Sequence, residues 1–126
     1  MKNFSFKTPP NRFEINVPLV HKFFEFYRKI YLLSPRIPKK DRFGVYLKIE
    51  NNCLETLELL ISASLEIKER KFSKLNSARI KIEIIKRLIR LIYELDIIER
   101  KKYINLEKEL QEISKMVNGW IKYLKQ

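Results

Sequence analysis

Arg79, Lys86 and Arg90 are spaced so that, at about 100° per residue, they fall within about 20° of one line along a helix, with Arg87 beside them. Four cationic side chains on one stripe suit a single kind of chemistry, the neutralisation of successive phosphates with release of their counterions. Glu83 lies inside the stripe, four residues from both Arg79 and Arg87, and by itself that pattern also describes a solvated face laced with ion pairs. The surrounding cations favour the phosphate reading. Lys22, Arg28, Lys29 and Arg36 belong to an earlier helical segment and its exit, and Arg70, Lys71 and Lys74 lead into the stripe. Lys22 and Lys29 therefore join Arg79, Lys86, Arg87 and Arg90 as candidate nucleic-acid contacts.

The whole composition agrees. Lys and Arg number 27 against 15 Asp and Glu, a formal charge of +12, and the isoelectric point is near 9.9. A surplus of that size favours a polyanionic partner such as RNA, DNA or anionic lipid. An amphipathic basic helix can also lie on a membrane, but here the apolar face is expected to be used in packing. No apolar run reaches the roughly 18 residues of a membrane span, and the first residues lack the apolar core of a signal peptide, so a soluble, cytoplasmic protein is expected.

Other chemistries find no residues to carry them. A di-iron bundle needs Glu-x-x-His on two helices; the one histidine, His21, follows Pro18 by three residues and reads as a surface side chain. There is no Gly-x-Ser-x-Gly elbow, no Cys-His pairing and no glycine-rich phosphate loop, so neither catalysis nor a cofactor is expected. Cys53, the single cysteine, lies in an apolar helical run and reads as a small buried hydrophobe.

The elements that must position the stripe are helices. The chain of 126 residues has two glycines, too few for an all-β fold rich in tight turns. Residues 1–16 show no period and read as an extended tail whose Phe4, Phe6 and Phe13 are free to dock elsewhere, ahead of a helical domain over 17–126. Pro18 suits a first helical turn, and Ser34-Pro35 ends that helix, predicting helix one over about 18–34. Apolar periodicity predicts helix two over about 40–68. The cluster Glu69-Arg70-Lys71-Phe72-Ser73 reads as a break, followed by helix three from residue 73 or 74 to 98 and helix four beyond about 100. Short links make an all-α, antiparallel up-down-up-down four-helix bundle the economical arrangement.

Three positions stand out against that frame. Glu50 points at the core side of helix two, and counting along antiparallel helices places Tyr27 and Arg90 at its level, predicting a polar cross-link. Lys81 lies in the apolar arc of helix three, near enough to the helix start for its stem to reach water. That arc, including Ile80, Ile84, Leu88, Leu91, Ile92 and Leu95, spans about 220°, roughly twice what one core covers. Something besides the chain's own core is expected to cover the excess.

Read in order, Arg42-Phe43-Gly44 after Pro38, Ile49-Glu50-Asn51-Asn52, Ser77-Ala78, Leu88-Ile89-Arg90-Leu91 and Asn118-Gly119-Trp120-Ile121-Lys122 resemble the accessory variability determinant (Avd) family of diversity-generating retroelements. The likeness covers roughly residues 17–125 and extends to the wider group of four-helix proteins found in ribosomal-RNA intervening sequences. It implies a four-helix protomer assembling into a basic homopentameric barrel that binds a reverse transcriptase and template RNA or cDNA, without catalysing a reaction itself. Many relatives carry Gly-Gly before the tryptophan where this chain has Asn118-Gly119. Gly119 is expected to admit another helix beside Trp120, with Trp120, Phe23 and Leu88 serving packing. A stand-alone intervening-sequence protein without a polymerase partner, or a structural oligomer whose charge only aids solubility, are the alternatives.

Overall fold

The computed structural model describes residues 17–125. Four long helices, α1 (Val17–Leu33), α3 (Val45–Leu65), α4 (Lys68–Glu94) and α5 (Arg100–Leu124), are supplemented by a single-turn α2 (Lys39–Arg42). No strand occurs among the described residues. Helix α1 packs on α3 and α5, α3 on α4, and α4 on α5, as an antiparallel bundle requires. The α3–α4 pair is the most extensive contact, and α1 is the least tightly held of the four.

The core is built from one stripe of each helix: Phe23, Phe26 and Ile30 of α1, Ile49, Cys53 and Leu60 of α3, Ile82, Ile85 and Ile89 of α4, and Leu110, Ile113 and Val117 of α5. Spacings of three, four and seven residues place each set on one face. Cys53 is free and buried, as its setting in the sequence predicts, and burial pushes its thiol pKa well up. Two polar side chains inside the core are hydrogen-bonded. The Tyr46 hydroxyl donates to the Ile30 carbonyl of α1, and Thr56 Oγ1 donates to the Asn52 carbonyl at 2.7 Å within α3. Such pairing is what makes their burial tolerable.

Helix one follows the expected bounds, whereas the expected helix two is interrupted. Ser34–Arg36 forms a 3-10 turn, and after α2 the chain bends at Phe43-Gly44 before α3 begins. A β-carbon at Gly44 would lie 3.1 Å from the Lys40 carbonyl oxygen, so the close turn suits a residue without one. Buried Ile37 and the Arg42 guanidinium, which donates to the Ile37 carbonyl at 3.1 Å, secure this connection.

The expected break at Glu69–Ser73 is instead the first turn of α4. The chain turns earlier, through the extended residues Glu66 and Ile67. Lys71 explains the difference. Its ammonium group is buried, donates to the Ala63 carbonyl near the end of α3 at 2.7 Å, and lies 5.8 Å from the centre of the Trp120 ring. A residue that counts as a solvated charge in the sequence thus closes the α3–α4 hairpin from within.

Helix α4 also stops four residues short of the expected end. Asp96 adopts a left-handed φ of 61°, with its N–H bonded to the Tyr93 carbonyl and the Ile97 N–H to the Ile92 carbonyl at 2.8 Å. This is a Schellman C-cap, which satisfies carbonyls that the helix leaves open.

Candidate nucleic-acid interface

The basic stripe of α4 exists, and most of its members are engaged inside the chain. Arg79 donates to Asn76 Oδ1 at 2.8 and 3.1 Å, and Lys86 pairs with Glu83 at 3.1 Å. Arg90 pairs with Glu94 at 2.8 Å, reaches the Tyr103 hydroxyl at 3.5 Å and sits 5.9 Å from the Tyr103 ring centre. These contacts to Glu94 and Tyr103 raise the Arg90 pKa further. Arg87 makes no side-chain bond to a described residue. Glu83 therefore serves Lys86 three residues on, and not Arg79 or Arg87 as the spacing predicts. The Arg90–Glu94 pair is exposed and such pairs are weak, about 0–1 kcal/mol, so Arg90 remains open to exchange for a phosphate, whereas the Lys86 side chain is only 16% exposed.

Lys22 and Lys29 come from the other side of the bundle. Lys22 pairs with Glu112 at 2.8 Å and Lys29 pairs with Glu109, both on α5. Lys22 holds the Glu112 carboxyl below the usual carboxylate range. The six expected cations are thus not one cluster. Arg90 reaches α5 from α4 and the two lysines reach it from α1, so the groups border α5 on opposite edges. The stacked rings of Tyr93 and Tyr103, 4.5 Å apart and inclined by 7°, fix α4 against α5.

Helix α5 itself, to which the sequence reading assigned no contact, carries exposed Lys101, Lys108, Lys115 and Lys122 between those edges. Their seven-residue interval is visible in the sequence, on the face opposite the apolar stripe of the same helix.

Three other expectations can be compared with the structure, and the first is corrected by it. Arg90 does not meet Glu50, being held by Glu94 and Tyr103. Glu50 is half-buried, makes no side-chain hydrogen bond to a described residue, and has its pKa raised by desolvation; its charge in turn raises the pKa values of Tyr27 and Tyr46, in both of which burial is the larger cause. Gly119 is exposed, with no atom of another described element within 4 Å of a β-carbon placed there, so no helix of its own bundle approaches it. Lys81 is partly exposed, as its place in the helix predicts. It spans α4 to α3, pairing with Glu55 at 2.7 Å. Trp120, Phe23 and Leu88 do serve packing, the first two buried and the third half-buried against the core.

Among the described residues, no group of three or more His, Cys, Asp or Glu is placed to hold a metal, and no helix is long and apolar enough to cross a membrane. The fold and its cationic faces define a basic, antiparallel helical-bundle protein. The chain belongs to the bAvd-like family, whose sequence profile matches residues 18–124. Comparison with curated proteins and with solved structures gives no match.

Proposed function

We propose that this chain is a non-catalytic accessory protein of a diversity-generating retroelement, which binds the element's reverse transcriptase and its template RNA or cDNA through a basic surface to support mutagenic reverse transcription. The observation that carries this reading is the family match over residues 18–124, and membership suggests the accessory role. The formal charge of +12 supports the polyanionic partner. Arg79, Lys86, Arg87 and Arg90 supply one contact line, with Lys22 and Lys29 supporting it across α5.

The working form is a homo-oligomer, a pentamer by family likeness. Exposed apolar side chains support assembly. Ile80, Ile84, Leu91 and Leu95 run along the outer side of α4, and Leu47, Leu54 and Ile61 recur every seven residues along α3, all at 40% exposure or more. Patches of this extent mark interaction surfaces in soluble proteins. Two different stripes, one on each helix, suit a heterologous contact that closes into a ring.

Replacing Arg79, Lys86, Arg87 and Arg90 together by Ala tests the contact line. Retention on immobilised RNA is expected to fall at least ~10-fold while the helical circular dichroism is kept, since each lost phosphate contact lowers affinity several-fold at physiological salt. Unchanged retention removes this stripe from the interface. A neighbouring reverse-transcriptase gene with paired template and variable repeats supports the accessory role; without one, the stand-alone reading is favoured.

A further inference from the structure

Lys101, Lys108, Lys115 and Lys122 lie on the outward face of α5, every one exposed. At seven residues per step they succeed one another about every 10 Å, winding only about 20° per step, so the row runs about 32 Å along the helix. No side-chain ion pair or hydrogen bond joins any of the four to a described residue, in contrast to Arg79, Lys86, Arg90, Lys22 and Lys29. Lys108 and Lys115 add to the field on Glu112, whose hydrogen bond is to Lys22.

From these observations we propose that the lysine row of α5 is the principal track for the phosphodiester backbone of a single-stranded nucleic acid. The proposal rests on the polyanion-binding role argued above and assigns its centre to a helix other than α4. Four ammonium groups in a line have no partner among the described residues to give up, whereas Lys86 and Arg90 of the α4 stripe must exchange Glu83 and Glu94 for phosphate. The flanking cations extend the track sideways, Arg90 from α4 and Lys22 and Lys29 from α1.

Two surface features fit a strand lying there. Gly119 falls between Lys115 and Lys122 and leaves the helix surface low, with no other described element within 4 Å of the missing β-carbon, so a phosphate can approach the backbone closely. At the other end, beside Lys101, α1 and α5 enclose a cleft of about 350 Å³ where Lys29, Arg36, Lys102 and Asn105 surround apolar Leu32 and Leu106. Cations around an apolar floor suit the end of a strand, with phosphate outside and a base within. A membrane is a poorer fit. The residues interleaved with the lysines include Gln111 and Asn118, and Ile104 is the one large aliphatic side chain exposed among them, where a surface-lying helix needs a continuous apolar face.

The test measures Kd for a fluorescent single-stranded RNA oligonucleotide over a series of salt concentrations. It compares the full chain, a variant with Lys101, Lys108, Lys115 and Lys122 all changed to Gln, and the α4 variant described above. Gln keeps nearly the helix propensity of Lys, and a two-site Lys108→Gln, Lys115→Gln variant serves if the four-site variant fails to fold. Removing four contacts is expected to reduce the slope of log K on log salt by about 3, and to weaken binding on the order of 10²-fold at ~0.15 M salt, with about half the slope change for the two-site variant. A slope unchanged in the α5 variants but flattened in the α4 variant overturns the assignment and leaves the accessory role standing. Absence of salt-dependent binding by the unaltered chain overturns both. Binding to phosphatidylserine vesicles in place of RNA, lost in the α5 variants, overturns the assignment in favour of a membrane surface.

Discussion

Glu50 holds a half-buried carboxyl on α3 with no side-chain hydrogen bond to a described residue, and desolvation raises its pKa above the ordinary carboxylate value of 4.5. A raised acid favours the folded state while it is protonated. Its contribution is complete below the unfolded pKa and is lost as pH rises through the folded one. At neutral pH an ionised Glu50 therefore opposes folding, and Glu50→Gln is expected to raise the melting temperature at pH 7, with a gain that shrinks towards pH 4. A melting temperature lowered at pH 7 would show that the carboxylate has a stabilising partner after all. Lys71 shows the same lesson with opposite outcome. Its charge is buried too, but the Ala63 carbonyl receives it at 2.7 Å, and a hydrogen-bonded ammonium beside an aromatic ring is a tolerable resident of a helix junction. Neither environment follows from a residue's type. Periodicity places Glu50 near the core, but its partner depends on how far each neighbouring helix is shifted along its axis, and Arg90 is held instead by Glu94 of its own helix and Tyr103 of α5.

At the scale of elements, the left-handed Asp96 ends α4 where glycine is the usual residue. Asp96→Gly removes the β-carbon penalty and is expected to stabilise the protein by about 0.5–1 kcal/mol, read from the shift of the urea midpoint. A destabilisation would mean that the Asp96 side chain supplies a contact outweighing the backbone cost. The same cap shows why helix limits were less legible than helix faces. The apolar spacing of Ile82, Ile85, Ile89 and Ile92 is a repeated signal, and so is that of Leu106, Leu110, Ile113 and Val117; all eight are buried. An end is set by one or two residues. Asp96 gave no glycine signal, and the charged run at 69–73 looked like a break because the burial of Lys71 depends on an α3 carbonyl eight residues earlier. The candidate site was legible in the same partial way. The α4 stripe was evident from spacing, but only the antiparallel packing shows that its Arg90 and the α1 lysines meet opposite edges of α5.

For the whole molecule, two surpluses remain once the bundle has formed: apolar stripes on α3 and α4 that the described residues do not bury, and a broad cationic face centred on α5. Sister copies are the proposed cover for the first and nucleic acid for the second. The two assignments are physically separable, because apolar contacts are strengthened by salt and phosphate contacts are weakened by it. Light scattering with simultaneous absorbance, run on the purified chain mixed with single-stranded RNA at low and high salt, tests both together. The account predicts a particle near five times the 15.3 kDa protomer that carries RNA at low salt and sheds it at high salt without dissociating. A 15.3 kDa monomer at every concentration, with no RNA bound at either salt, would contradict it.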